Sequence, residues 1–141
     1  MNRSGYTDDC DDDLQYGRWR AQVKSATRGK RGQTFLKELA KAMDAMPNKR
    51  LIANELISEN GECCAIGVVC KARGLDVSDV EVEDPEQVGL AVDIAYQLAA
   101  EIEHQNDEGV YYEESPEKRW VRMRKWVDKQ INNPKETKGG R

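Results

Sequence analysis

The chain has 141 residues, 38% of them hydrophobic and 34% charged, with a formal net charge of −4. That length suits one domain, which buries about two thirds of its unfolded surface and needs neither disulfide nor metal to hold a core. The small negative charge excludes a global attraction to nucleic acid or anionic lipid, and no apolar stretch approaches transmembrane length.

Residues 1–13 read as an acidic arm, because five aspartates around Cys10 repel one another and bury little. The arm lacks the glycine and distal glutamate of a calcium loop. With no apolar run it does not read as a secretory leader. A first helix is predicted over 13–26, with Leu14, Trp19, Val23 and Ala26 as a loose apolar stripe. Gly29 and Gly32 then bracket a basic turn, where glycine permits positive φ and breaks the helix. A second helix is predicted over 33–46. Phe35, Leu36, Leu39, Ala42, Met43 and Met46 recur there at three and four, and Pro47 stops the pattern.

The run 51–57 is short and apolar, and Asn60-Gly61 follows it. Asn-Gly is a strong hairpin signal, so 51–57 and 62–65 read as a small hairpin. A helix over 49–58 is the competing reading, since Leu, Ala and Glu suit helices. The apolar run 65–72 reads as a buried helix closed by Gly74, with Gly67 marking close approach to another backbone. Asp84-Pro85-Glu86-Gln87 joins an N-cap, a proline at the first helical position and a Gln three residues after the cap. That helix is predicted to run to about His104, with Val88, Ala91, Val92, Ala95, Leu98, Ala99 and Ile102 inward. Ser115-Pro116-Glu117 starts the last helix by the same logic, with Trp120, Met123, Val127 and Ile131 on one face. Residues 132–141 read as a disordered tail. The fold expected is mainly α: one compact domain over 14–131 of about five helices, with a small β-hairpin in 51–65.

Catalytic signals are weak. The one histidine, His104, lies near a helix C-terminus, where the helix dipole explains it, and no serine sits in a Gly-x-Ser-x-Gly context. Glu101 and His104 form a Glu-x-x-His pair, but di-iron bundles need that pair twice. Cys63, Cys64 and Cys70 lack the paired spacing of a zinc site or a redox motif, and read as small hydrophobes in a reducing compartment. The chain therefore reads as non-enzymatic, with no catalytic residue, metal or cofactor expected.

Charge blocks carry the functional reading, set against the plain alternative of a solvated exterior. No acid occurs from Leu14 to Lys37. Within that stretch Arg18, Trp19, Arg20, Arg28, Lys30 and Arg31 are candidate contacts for a partner or an anion, with Trp19 either stacking on a base or packing inward. The Walker spacing is missing. Asp79, Glu81, Glu83, Asp84, Glu108, Glu113 and Glu114 make the opposite candidate, an acidic surface that occupies a partner's basic groove. A second basic set, Lys118, Arg119, Arg122, Arg124 and Lys125, is expected on the exposed side of the last helix, either solvated or paired with the acids of 101–114.

Three passages carry a resemblance. They are Arg28-Gly29-Lys30-Arg31-Gly32-Gln33 running on through Phe35-Leu36 to Met46-Pro47; Gly61-Glu62-Cys63-Cys64-Ala65-Ile66-Gly67-Val68; and Asn106-Asp107-Glu108-Gly109 followed by Ser115-Pro116-Glu117-Lys118-Arg119-Trp120 and Met123-Arg124-Lys125-Trp126-Val127. Together they resemble a set of small uncharacterised proteins of tailed bacteriophages. A broader group of bacterial and phage proteins, with a Cys-Ala-Leu-Gly-Ala-Leu segment and a later Asn-Asp, is distantly similar; here the segment reads Cys64-Ala65-Ile66-Gly67-Val68-Val69. The resemblance implies a phage origin and the cytoplasm of an infected bacterium, and it carries no catalytic signature. Small phage accessory proteins of this kind often inhibit host machinery. The resemblance thus implies a host protein or protein complex as partner, and in its most specific form an anti-CRISPR-like inhibitor of bacterial defence. The alternative is a nucleic-acid-binding module using the basic stretch 18–31, whose binding would weaken steeply with salt. An enzyme would instead need a deep pocket with convergent polar groups. No membrane is expected as a partner, and the oligomeric state stays open.

Overall fold

A computed structural model describes residues 13–108 and 113–139. Among them are six helices: α1 (Asp13–Arg28), α2 (Lys30–Asp44), α3 (Ala65–Arg73), α4 (Pro85–Val92), α5 (Tyr96–Glu108) and α6 (Pro116–Gly139). The acidic arm, apart from Asp13, lies outside the described residues. The expected tail falls on the end of α6, whose side chains beyond residue 131 are not described, and on 140–141.

α2 is the keel. Phe35, Leu36, Leu39 and Met43 are buried at intervals of three and four, so one face meets α3, α6 and α1 at once. The helix ends at Ala45, and the Lys49 ammonium donates to the Asp44 and Met46 carbonyls left without helical partners. α5 is the second hub, packed on α1, α3, α4 and α6 through Leu98, Ala99 and Ile102. Met123 and Val127 of α6 close the core, with Trp120, Trp126 and Ile131 half-buried against it. α3 is short and apolar all round because its first six residues, Ala65 to Cys70, are buried, as a helix at the domain centre must be. Gly74, at φ 74°, turns the chain out of it.

Four features differ from the expectation. The first break is narrower: Gly29, in extended conformation, is the only residue between α1 and α2. Gly32 lies inside α2, where a Cβ would stand 2.0 Å from the Ala26 carbonyl oxygen, so it permits close packing and not a turn. Second, Leu14 is 63% exposed; the buried stripe of α1 is Trp19, Val23 and Thr27.

Third, the helix expected over 85–104 is two helices. Asp84 caps the first as predicted, its carboxylate accepting from the Glu86 and Gln87 amides. Asp93, at φ 65°, ends it, and the Ile94 amide returns to the Gly89 carbonyl. The turn needs Gly89, because a Cβ there would meet the Ile94 oxygen at 2.7 Å.

Fourth, the hairpin is reduced to a single antiparallel bridge between Ile57 and Cys63. The turn exists, with Gly61 at φ 84° and its amide donating to Ser58. The extended run before it is broken by Asn54 at φ 71°, whose amide donates to the Asp107 carboxylate instead of a strand. The residues from Arg50 to Cys64 pack as an irregular loop and not as the competing helix.

Candidate functional site

The segment from Asp76 to Glu86 carries six carboxylates and no Lys or Arg. The reason lies in a larger segregation: between Arg73 and Lys118 the chain has no Lys or Arg at all. The segment is a run of turns pinned by Val77, which is buried, and by the half-buried Val80 and Val82. That alternation sends Asp79, Glu81 and Glu83 outward. Asp76 is used locally, accepting from the Ser78 amide and hydroxyl, and these bonds hold its carboxyl below the usual range. Asp84 is used as the α4 cap. Among the described residues none of Asp79, Glu81, Glu83 and Glu86 makes an ion pair. Leu90, on the outer side of α4, is 85% exposed. It borders a groove of about 360 Å³ with Gly89, Ile94 and Tyr96. Glu86, one helical turn before Leu90, lines the same groove, as do Arg31 and Asp93, so the acidic segment runs into the rim of this apolar knob.

The other predicted acids do not join that face. Glu114 is buried between the Arg119 and Arg122 guanidinium groups, with Arg122 Nε 2.7 Å from one carboxylate oxygen. The Arg122 hydrogen bonds hold its carboxyl below the usual range. Glu108 lies 3.7 Å from His104 Nδ1. Glu113 is exposed near the start of α6.

The basic stretch is dispersed. Trp19 is 4% exposed, packed against Tyr96 at 6.2 Å between ring centroids, so of its two readings the structure shows packing and it offers no face to a partner. Arg20 donates to the buried Glu101 at 2.8 Å, and Arg31 lies 3.4 Å from Asp93. Arg28 is half-buried. Arg18, Lys24 and Lys30 remain exposed and make no ion pair among the described residues. Of the second basic set, Arg119, Arg122 and Arg124 are all engaged, Arg124 with Asp44 at 2.9 Å. Lys118 and Lys125 make no ion pair among the described residues, though the charge of Lys118 acts on Glu114.

Four polar residues are buried among the described ones, Thr27, Glu101, Glu103 and Asn106, and for Asn106 and Glu101, both singled out in the sequence, it is the burial that sequence reasoning missed. Asn106 is 1% exposed. Its Oδ1 accepts from the Ala65 amide at 3.1 Å, and its Nδ2 donates to the Ile52 carbonyl at 2.9 Å. Its own carbonyl accepts from Arg119 and Arg122. The Cys64–Gly67 segment and the Asn106-Asp107 pair therefore meet in space, and the meeting caps the first amide of α3 and the last carbonyls of α5. Their role is structural. The second feature is Glu101, 5% exposed. Burial pushes its carboxyl up to about 6, against the hydrogen bond from Gln105. Arg20 keeps its guanidinium partly in water, which blunts its pull on that carboxylate.

The thiols of the described residues, Cys63, Cys64 and Cys70, are buried. Desolvation raises all three, Cys70 to about 11, which keeps them protonated and unreactive at neutral pH. Among the described residues no group of three or more His, Cys, Asp or Glu side chains converges on a metal position, and no helix is long and apolar enough to cross a membrane. Comparison with protein-family models, with curated proteins and with solved structures finds no match to this chain.

Proposed function

We propose that this protein is a non-enzymatic accessory protein of a tailed phage that binds a host macromolecule through the acidic face of 76–86 and Leu90, and that it inhibits a bacterial defence system by occupying a basic groove of one of its proteins. The observation that carries this reading is the set of outward carboxylates at Asp79, Glu81, Glu83 and Glu86. Among the described residues none of them makes an ion pair, and Leu90, which shares a groove with Glu86, is 85% exposed. Charge of one sign steers encounter with the opposite sign and rejects other partners. An exposed apolar side chain beside it supplies the dry contact that holds the complex. The nucleic-acid reading of 18–31 loses its aromatic anchor, because Trp19 is interior.

The test is capture from a bacterial host with the tagged chain and with a Asp79→Lys, Glu81→Lys, Glu83→Lys triple variant, each with and without nuclease. The expected result is a stoichiometric protein that survives nuclease on the wild type and is lost from the variant. A protein held equally by both would refute the acidic face. Recovery of nucleic acid alone would replace this reading with the basic-stretch module.

A further inference from the structure

A separate surface runs along α6. Lys118, Val121, Arg122, Lys125, Trp126 and Lys129 line one side of a groove of about 700 Å³, completed by Gln105 from α5 and by Glu114 and Glu117 at one end. The two glutamates are neutralised within the fold, Glu114 by Arg119 and Arg122 and Glu117 by Arg50 at 2.9 Å. None of the three lysines makes an ion pair among the described residues, although the charge of Lys118 is close enough to help hold the Glu114 carboxyl down. They span about 16 Å along the helix axis. Between them Val121 is 49% exposed and Trp126 is half-buried, an apolar floor inside a cationic rim.

We propose that this groove docks an acidic amphipathic helix of a protein partner, with apolar side chains seated on Val121 and Trp126 and carboxylates facing Lys118, Lys125 and Lys129. Charge complementarity selects the occupant. An amphipathic helix repeats its apolar residues every three or four positions with charged flanks, which matches a floor and rim laid out along α6. A nucleic-acid strand fits less well. It needs ring faces standing free for base stacking, whereas Trp126 packs on the core and Val121 is aliphatic.

The experiment uses the full chain and a fluorescein-labelled panel of helical peptides of about 18 residues, some five turns. The peptides carry leucine on one face at varied three-and-four spacings and glutamate on both flanks. Anisotropy is read against wild type, Lys125→Glu/Lys129→Glu, Val121→Asp, and the charge-matched control Lys37→Glu/Lys41→Glu on the exposed side of α2. The expected result is binding by at least one peptide that weakens about tenfold or more in both groove variants and stays within about twofold in the control. All substituted residues are exposed, and circular dichroism checks that the variants fold. Equal loss in the control variant would overturn the proposal in favour of unspecific charge attraction. Binding of oligo-dT in place of the peptides, or self-association abolished by Lys125→Glu/Lys129→Glu, would overturn it in favour of those occupants. Binding by no member of the panel would also overturn it.

Discussion

Replacing Asn106 with alanine should be among the most damaging single changes in the described structure, although the residue touches no proposed partner. The side chain holds two main-chain groups that no helix satisfies: the Ala65 amide that opens α3 and the Ile52 carbonyl of the irregular loop. Alanine leaves both without a partner at a site 1% exposed. Each of the two orphaned groups costs about 1–3 kcal/mol, so the loss should reach about 2–6 kcal/mol. That is a large share of the roughly 5–15 kcal/mol that holds a domain together. Urea unfolding followed by circular dichroism should show the midpoint lowered by about 2 M at unchanged slope. Asn106→Asp separates the two roles. It keeps the acceptor for Ala65, loses the donor to Ile52, and sets a second carboxylate against Asp107, now 2.7 Å away. It should be more damaging at pH 7 than at pH 4. A loss below about 1 kcal/mol for the alanine variant would show that water replaces the side chain, and would refute the assignment of Asn106 as the cap of α3.

Glu101→Gln should not destabilise the protein at pH 7, despite the ion pair to Arg20. A carboxyl raised from 4.5 to about 6 on folding favours its protonated form in the folded state, so the wild type loses stability as pH climbs from about 4.5 to about 6 and keeps that loss above. The glutamine variant should therefore gain up to about 2 kcal/mol relative to wild type across that window, read by urea unfolding at each pH. A deficit of more than about 1 kcal/mol at pH 7 would mean that Arg20 dominates. Two glycine substitutions should part company in thermal unfolding. Gly67→Ala drives a Cβ to 1.8 Å from the Leu56 oxygen, backbone against backbone, and should cost about 3 kcal/mol or more. Gly74→Ala meets nothing within 4 Å and bears only the strain of positive φ, about 1 kcal/mol. Equal losses would remove the reason given for Gly67.

Local chemistry made much of this fold readable. The stripe of α2, the cap at Asp84 with Pro85 and the left-handed exit at Gly74 each rest on neighbours a few residues apart, and the glycine at 67 signals a close approach without naming its partner, Leu56. What stayed hidden depends on distant partners. Asn60-Gly61 signals a hairpin, but Asn54 turns left-handed to meet Asp107 and the ladder never forms. The apolar pattern over 88–102 runs unbroken in the sequence, and only the approach of Ile94 to Gly89 shows why it splits. The same holds for the surfaces. Clustered acids in 76–86 are visible as letters, and so is the acid-free stretch 14–37. Which charges stay unpaired is not, because Glu114 finds Arg122 and Arg124 finds Asp44 only once the helices have packed.

The irregular loop has a kinetic meaning. Helical domains fold fast when their contacts are local. Here the Ala65 amide reaches a partner 41 residues away, the Ile52 carbonyl one 54 away, and the Leu51 carbonyl the Arg119 guanidinium 68 away. Loop closure on that scale must precede the reward it brings. On the ribosome α2 and α3 emerge well before Asn106 and Arg119, at roughly 5–20 residues per second. For those seconds the start of α3 lacks its cap and the loop lacks its anchors, so the first two thirds of the chain wait for the last helix before the fold can close.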